Sequence, residues 1–209
     1  MSTHLGFDVL DVVEHNRLEP LDEIVRRRLT QLGGKTGLVR VHSPVKAPAT
    51  SRPFHWTAFS RSEVAAMMAF LDARAGVVVP FWLPSYQSDL VLTEDAAQAE
   101  TILSIRRVNY SRLMFPGSGS RRHLAFHVTG SALTFLRVVD ADDPGPGNPE
   151  TITVDPALPA AVVANRTTVM FLKLCRLEEP FADVSWLNTG AGIADAILRL
   201  REVPNEAPT

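Results

Sequence analysis

The feature that most constrains this chain is a succession of short apolar segments, each ended by proline or glycine. Within "RPFHWTAFS", Phe54, Trp56 and Ala58 alternate with His55 and Thr57. A period of two residues puts alternate side chains on opposite faces of a strand, so this segment is typical of a half-buried β-strand. Similar segments recur between turn-forming stretches such as "FPGSGSRR" and "DADDPGPGNPE". The sequence therefore predicts a mainly β fold, either a β-barrel or a β-sandwich.

One helix is also predicted, over about residues 61–74. The side chain of Ser60 is expected to accept from the Glu63 amide, and Glu63 to reach back to the Ser60 amide, as in a capping box. Apolar residues follow at helical spacing, with a glycine at the position of a left-handed C-terminal cap: Val64, Met67, Met68, Leu71 and Gly76. We expect this helix to pack on the sheet through Met67 and Leu71. Weaker helical patterns lie near residues 21–30 and 94–100.

The aromatic segment "RAGVVVPFWLPSYQSDLVL", residues 74–92, has two interpretations. Its apolar run "VVVPF" is typical of a strand buried on both faces, with Phe81 and Trp82 packing the core. The alternative is a solvent-facing platform of Trp82 and Tyr86, which would suit a carbohydrate because sugars stack on aromatic faces. The exposure of Trp82 distinguishes the two.

Composition excludes several classes of protein. With 209 residues and 45% hydrophobic content, the chain can bury a core as one domain over residues 1–209. A division into two subdomains near residues 141–150 is the alternative. A net charge of −2 argues against sequence-independent nucleic-acid binding. No signal peptide or apolar membrane span is evident, which predicts assembly in a cytoplasm without membrane contact. Cys175 lies in an apolar run and is expected to be a buried structural thiol.

No group of residues makes a convincing catalytic or metal site. His123 and His127 are four residues apart, but the surrounding alternation predicts a strand with both histidines facing out, some 13 Å apart, too far to share one metal ion. Asp89 and Glu94 flank the aromatic segment and are interpreted as solvated turn residues. The sequence therefore predicts no enzyme, cofactor or metal, and a cell-wall hydrolase would need a constellation that these residues do not form.

Two longer blocks resemble tail proteins of long-tailed bacteriophages and related gene-transfer particles. The first is "RPFHWTAFSRSEVAAMMAFLDARAGVVVPFWLPSYQSDLVL", in which a strand leads to a helix, a phrase like "ff.ar.G...pFw.ps" and another strand. The second is "TTVMFLKLCRLEEPFADVSWLNTGAGIADAILRLREVPNEA", which is similar to the ending of the same family. The matching residues in it are Phe171, Leu172, Arg176, Leu177, Asp183, Trp186, Thr189, Arg201, Glu202 and Pro204. The stretch "EEPF" before Asp183 departs from that pattern.

The resemblance implies a structural virion protein of the tail tip or baseplate, of the distal-tail type. Such a protein forms a ring with copies of itself, six being favoured over three, and joins the tail tube protein to the baseplate hub. A carbohydrate-binding module of the tail tip is the alternative function. Trp186 is expected to pack structurally, as Trp56 is. At least one of two loops is expected to contact another chain, because long loops in compact domains are usually functional or disordered. These loops carry Arg121, Arg122, Asp142 and Asp143, and the alternative for each loop is a mobile hairpin tip that touches only water.

Overall fold

The chain forms two compact units, seen in a computed structural model that describes residues 2–11, 24–26, 30–33, 39–42, 49–117, 119–179, 183–190 and 192–208. The first unit comprises Met1–Glu14, Phe81–Leu174 and Pro208–Thr209. The second comprises His15–Pro80 and Cys175–Ala207. Both units are therefore discontinuous in sequence, and the unit boundaries do not lie near residues 141–150, where a division was the alternative expectation.

The fold is mainly β with a single α-helix in the described residues, which confirms the predicted class. In chain order the elements are β1 Thr3–His4, β2 Phe7–Asp8, β3 Ile24–Arg26, β4 Thr30–Gly33, β5 Val39–His42, β6 Ala49–Ala58, α1 Arg61–Ala73, β7 Phe81–Pro84, β8 Ile102–Ile105, β9 His123–Val128, β10 Thr134–Asp142, β11 Glu150–Asp155, β12 Thr167–Leu177, β13 Asp183–Asn188 and β14 Ile193–Glu202. A π-helical turn spans Tyr110–Met114, and short 3-10 turns span Gly119–Arg122 and Ala164–Arg166.

The sheet of the first unit is antiparallel, in the order β12-β9-β10-β11-β8, and β7 also pairs with β12. The two-stranded sheet β1-β2 precedes it in the chain. Alternate residues of these strands enter one apolar core, as the period of two requires. The core includes Leu103, Ile105, Tyr110, Leu124, Phe126, Leu136, Val138, Ile152, Val154, Val169 and Phe171.

The sheet of the second unit is antiparallel, in the order β3-β6-β14-β13. Residues Cys175–Leu177 of β12 pair with the end of β14, next to Leu200–Glu202. Strand β14 alternates strictly, with every second residue from Ala194 to Glu202 buried. The residues opposite them on β6, including Phe54, Trp56 and Ala58, are buried on the same face. Cys175 is buried, as expected for a structural thiol.

Helix α1 covers that buried face of the second unit, with contacts to β6 and β14. Ser60 is its N-cap and accepts from the Glu63 amide at 3.2 Å, as predicted. The Glu63 carboxylate accepts from the Phe59 amide, one residue earlier than a capping box requires. The buried residues are Val64, Met67, Phe70 and Leu71, so Met68 was wrongly assigned to the buried stripe. After the cap at Arg74 the backbone is left-handed at Ala75 and at Gly76.

Several local predictions were wrong. The run at residues 77–79 is a turn in which Val77 and Val78 are exposed, and the strand begins only at Phe81. Residues 94–100 contain a turn and an isolated bridge at Ala96 rather than a helix. Residues 24–26 form strand β3, while the rest of the proposed helix at 21–30 lies largely outside the described residues. Beyond β7, residues 90–92 make only isolated bridges, at Leu90 and Leu92.

Candidate functional site

The aromatic segment belongs to the interior of the first unit. Phe81 and Trp82 are 0% exposed in β7, and the Trp82 indole Nε1 donates to the His4 carbonyl at 2.8 Å. Tyr86 is half-buried and its hydroxyl donates to the Leu10 carbonyl at 3.1 Å. A platform for stacking sugars needs an accessible aromatic face. The interpretation as a buried strand is therefore confirmed for Phe81 and Trp82, and the proposed platform is absent.

Trp82 packs in a cluster that the sequence did not predict, formed with His4 of β1 and His123 of β9. The Trp82 ring centroid lies 4.5 Å from that of His123 and 5.4 Å from that of His4. His123 is 0% exposed, so the prediction that it faces solvent was wrong. His127, at the other end of the same strand, is half-buried.

Hydrogen bonding fixes which nitrogens of the two histidines carry protons. His123 Nε2 lies 3.0 Å from the Pro208 carbonyl oxygen, which can only accept. When His123 is neutral, its Nδ1 must then accept, and His4 Nε2 donates to it across 3.1 Å. A relay of two hydrogen bonds thus runs from His4 through His123 to Pro208. When one of the two rings is protonated, it can still donate to the neutral one, so the hydrogen bond between His4 and His123 is lost only when both are protonated.

Both histidines are held in the neutral form. Burial is the main cause that lowers the pKa of His4 to about 4, with further lowering by His123 and Arg137. Burial also lowers the pKa of His123 to about 4, against the hydrogen bond to Pro208, and Arg137 and Arg122 add to the lowering. Desolvation disfavours the charged imidazolium in this way. The cluster joins strands β1, β7 and β9 of the first unit.

The loop between β10 and β11 is a hairpin connection, as predicted from "DADDPGPGNPE". Asp142 is exposed at the end of β10, opposite Thr151. Asp143 forms a partly exposed ion pair of 2.7 Å with Arg107 of its own unit. Of these two predicted contact residues, Asp142 is thus the more accessible to another chain.

Glu150 was also assigned to that loop, but it is 0% exposed at the start of β11. Its carboxylate accepts from the Val108 amide at 2.7 Å and from the amide and hydroxyl of Ser111, each at 2.8 Å. Burial alone would raise the pKa of Glu150, but the hydrogen bonds from Ser111 and Val108 outweigh it and lower the pKa. Through these hydrogen bonds, the buried Glu150 carboxylate holds the π-helical turn Tyr110–Met114 against β11.

Arg121 and Arg122, the other predicted contact residues, lie against aromatic rings of the first unit. The Arg121 guanidinium is 4.9 Å from the Phe171 ring centroid, and that of Arg122 is 4.5 Å from the Phe115 ring centroid. Arg122 Nε also donates to the Phe115 carbonyl at 3.3 Å. Stacking of this kind contributes about 0.5–1 kcal/mol at exposed sites. Contact with another chain remains a prediction for both residues.

Strand β13 of the second unit carries two exposed apolar side chains. Trp186 is 51% exposed and Leu187 is 61% exposed, so the expectation that Trp186 packs in a core was wrong. Trp186 pairs with Ala194, which in turn pairs with Ala58 of β6. Directly opposite residues share a face of an antiparallel sheet. Trp186 therefore projects on the face that α1 covers, at the edge of the sheet beyond the helix.

An open cleft leads from this edge to the helix. It is lined by Trp56, Ala58, Val64, Met67, Met68, Val184, Ala194 and Ala196. Two residues predicted to be structural, Trp56 and Met67, form its floor and are almost completely buried, whereas Met68 and Val184 lie nearer to solvent. All lining side chains are apolar. The cleft is a small apolar recess, which disfavours a charged ligand there.

Other residues of the second block hold the second unit together. Glu202 is buried and accepts from the Thr50 hydroxyl at 2.5 Å. Arg176 forms an ion pair of 2.5 Å with Glu206 and donates to the Val77 carbonyl at 3.3 Å. These contacts tie the end of β12 to the turn after α1 and to the segment after β14. The block thus combines scaffold residues with the exposed Trp186.

The two carboxylates considered for acid–base chemistry have structural partners. Asp89 accepts from the Phe171 amide at 2.7 Å and from the Ser85 hydroxyl, and Glu94 accepts from the Ser104 hydroxyl. Within the ranges that the structure describes, no group of three His, Cys, Asp or Glu side chains could hold a metal ion. None of the described helices has the length and apolarity needed to cross a membrane.

The fold and its surfaces define a mainly β protein of two units whose largest exposed apolar residues include a tryptophan on a sheet edge. No protein-family model matches the chain, and no curated protein matches it significantly.

Proposed function

We propose that the chain is a structural subunit of the tail tip or baseplate of a long-tailed bacteriophage or gene-transfer particle, and that it assembles with copies of itself. The observation that carries this proposal is the exposure of Trp186 on edge strand β13. Trp186 is one of the residues through which the chain resembles such tail proteins. A half-exposed indole on a strand edge that no other described strand covers is better explained by contact with another protein than by the stability of the isolated chain.

The fold supports the same proposal. The resemblance implies a β-barrel or β-sandwich with a helix across the sheet, and the second unit has one helix packed on an antiparallel sheet. Several of the other residues considered have structural roles: Trp56 and Met67 in the core, Ser60 as a helix cap, and Asp89 as the acceptor of a part-buried hydrogen bond. Such an inventory is typical of a protein whose task is to hold shape and bind neighbours.

We favour this proposal over the carbohydrate-binding alternative. That alternative depended on Trp82, which is buried, and on Tyr86, which is half-buried and donates its hydroxyl to the Leu10 carbonyl. We therefore expect the purified chain to show no saturable binding to bacterial surface glycans in solution.

The test is the position of the chain in the particle. Deleting its gene from the genome that encodes it should yield particles without complete tails, and supplying the gene in trans should restore them. Antibody labelling in electron micrographs should mark the distal end of the tail, with six copies arranged in a ring. Complete, infectious particles formed without the protein would overturn the proposal.

A further inference from the structure

Among the residues that the structure describes, the second unit presents two exposed apolar strand edges rather than one. Besides β13, strand β3 forms the opposite edge of the same sheet, with Ile24 55% exposed and Val25 63% exposed. In the described part of the chain, β13 pairs only with β14, and β3 pairs only with β6. Each edge therefore offers unpaired backbone groups together with apolar side chains, the combination that favours strand addition.

We propose that β13 of one copy pairs with β3 of the next copy, so that the sheet of the second unit continues from subunit to subunit. This inference deepens the proposed function and rests on it, since it names the surface through which copies assemble. The contact is head-to-tail, because two different edges meet. Repetition of such a contact closes a ring or builds an open filament, depending on the rotation between neighbours.

Strand direction permits this continuation. The successive pairs β3-β6, β6-β14 and β14-β13 are all antiparallel. Strands β3 and β13 therefore run in opposite directions within one copy. When the β3 edge of a second copy is placed beside β13 with its sheet in the same orientation, the new pair is again antiparallel, and the helix-covered faces of both sheets lie on the same side.

The faces of the two edges restrict the register. Val25 of β3 pairs with Thr50 of β6. Two residues further along β6, Arg52 pairs with Leu200 of β14, which is buried under the helix-covered face. Val25 is therefore on the helix-covered face, since alternate residues share a face. On β13, Val184 pairs with Ala196 and is on that face too. Only registers that set Val25 opposite Val184 or Trp186 keep the faces continuous, because the register shift after Trp186 moves Asn188 to the other face.

Charge selects one of these registers. If Val25 stands opposite Val184, the position of Arg26 stands opposite Asp183, so that unlike charges meet where like charges would oppose pairing. In the same register Trp186 is the diagonal neighbour of Val25 on the helix-covered face. Val25 of one copy then contacts both Val184 and Trp186 of the other. It lies next to the apolar cleft that Val184 lines. This arrangement would cover the exposed indole.

A pair of cysteines tests the register directly in the full-length chain. Directly opposite residues of antiparallel strands have Cα atoms about 4.5–5.5 Å apart, which suits a disulfide. The double variant Val25→Cys/Val184→Cys should give a ladder of dimers, trimers and larger covalent species on mild oxidation. Each single variant should give no species beyond a dimer. The native Cys175 is buried and is present in all of them.

A matched control moves one cysteine to the other face of β13. Ser185 pairs with Asp195, on the face that α1 does not cover, so Val25→Cys/Ser185→Cys should give no ladder. A second measurement is the mass of the assembly in solution. Trp186→Glu should abolish self-association while circular dichroism stays unchanged, whereas Ile197→Glu, at an exposed site of β14 on that same uncovered face, should assemble normally.

The outcomes separate this inference from the proposed function. If labelling places the chain at the tail tip but the Val25→Cys/Val184→Cys variant forms no ladder, the interface is wrong and the function stands. A ladder from a chain that is absent from tails would support the interface and overturn the function. If Trp186→Glu prevents incorporation into tails without reducing self-association, β13 binds a different protein and the inference is overturned.

Discussion

Two buried histidines make the stability of the first unit depend on pH. The pKa of His4 and of His123 is about 4 in the folded chain, against an ordinary value of 6.5. Between these values the unfolded chain binds protons that the folded chain does not. The free energy of unfolding should therefore be highest above pH 6.5 and fall as the pH drops towards 4. The expected loss is roughly 3 kcal/mol for each of the two histidines, since one pKa unit corresponds to about 1.4 kcal/mol.

Urea unfolding measured across this pH range checks the prediction. The double variant His4→Gln/His123→Gln should be less stable at neutral pH but show a flatter dependence, because neither residue can then be protonated. The control is His127→Gln, which changes a half-buried histidine of the same strand and should keep the steep dependence. An equally steep fall in the double variant would assign the effect to other groups.

Glu150 is the second residue whose substitution should have a large effect. It is buried and accepts three hydrogen bonds from Val108 and Ser111. Glu150→Ala leaves these donors unpaired, which should lower the free energy of unfolding by about 2–3 kcal/mol. The pKa of Glu150 is lowered, so its contribution is present at neutral pH and is lost in acid. Asp142→Ala, at an exposed site of the same hairpin, should change the unfolding midpoint little.

At the scale of the element, helix α1 offers adjacent methionines with opposite environments. Met67 is 1% exposed against the sheet, whereas Met68 is 43% exposed. Met67→Ala should cost about 2–4 kcal/mol in the free energy of unfolding, because it leaves a cavity. Met68→Ala should cost well under 1 kcal/mol, as is usual for surface substitutions. Equal effects in chemical denaturation would show that the helix does not pack through the face assigned to it.

Helix α1 was predictable because its signals are local. The Ser60 cap and the helical spacing of the buried residues lie within about a dozen positions of each other. The burial of His123 was not predictable from alternation, since its partners Pro208 and His4 are 85 and 119 residues away in sequence. Likewise, alternation assigns Trp186 to a face of β13 but does not say that β13 lies at an edge. Apolar runs are ambiguous as well, which explains why residues 77–79 form a turn.

At the scale of the whole molecule, the order of the chain explains why the domain boundary was missed. Composition changes most sharply at the loop 143–149, but strands β10 and β11 on either side pair with each other in one unit. The second unit is instead closed by contacts between distant segments, such as Thr50 with Glu202. Because the chain passes from one unit to the other and back, no single change of composition along the sequence marks the boundary between the units.

The loop between β10 and β11 carries the last prediction, that it contacts another protein chain in the assembled tail. Replacing residues 143–149 by Asn-Gly should preserve the fold, because the loop's ion pair between Asp143 and Arg107 is partly exposed and contributes at most about 1 kcal/mol. The variant should melt like the parent chain but enter fewer full-length tails. A loop of the original length built from Gly and Ser is the control. It shows whether incorporation depends on the side chains of the loop or on its length. Normal incorporation of the shortened chain with unchanged infectivity would mean that the loop touches only water.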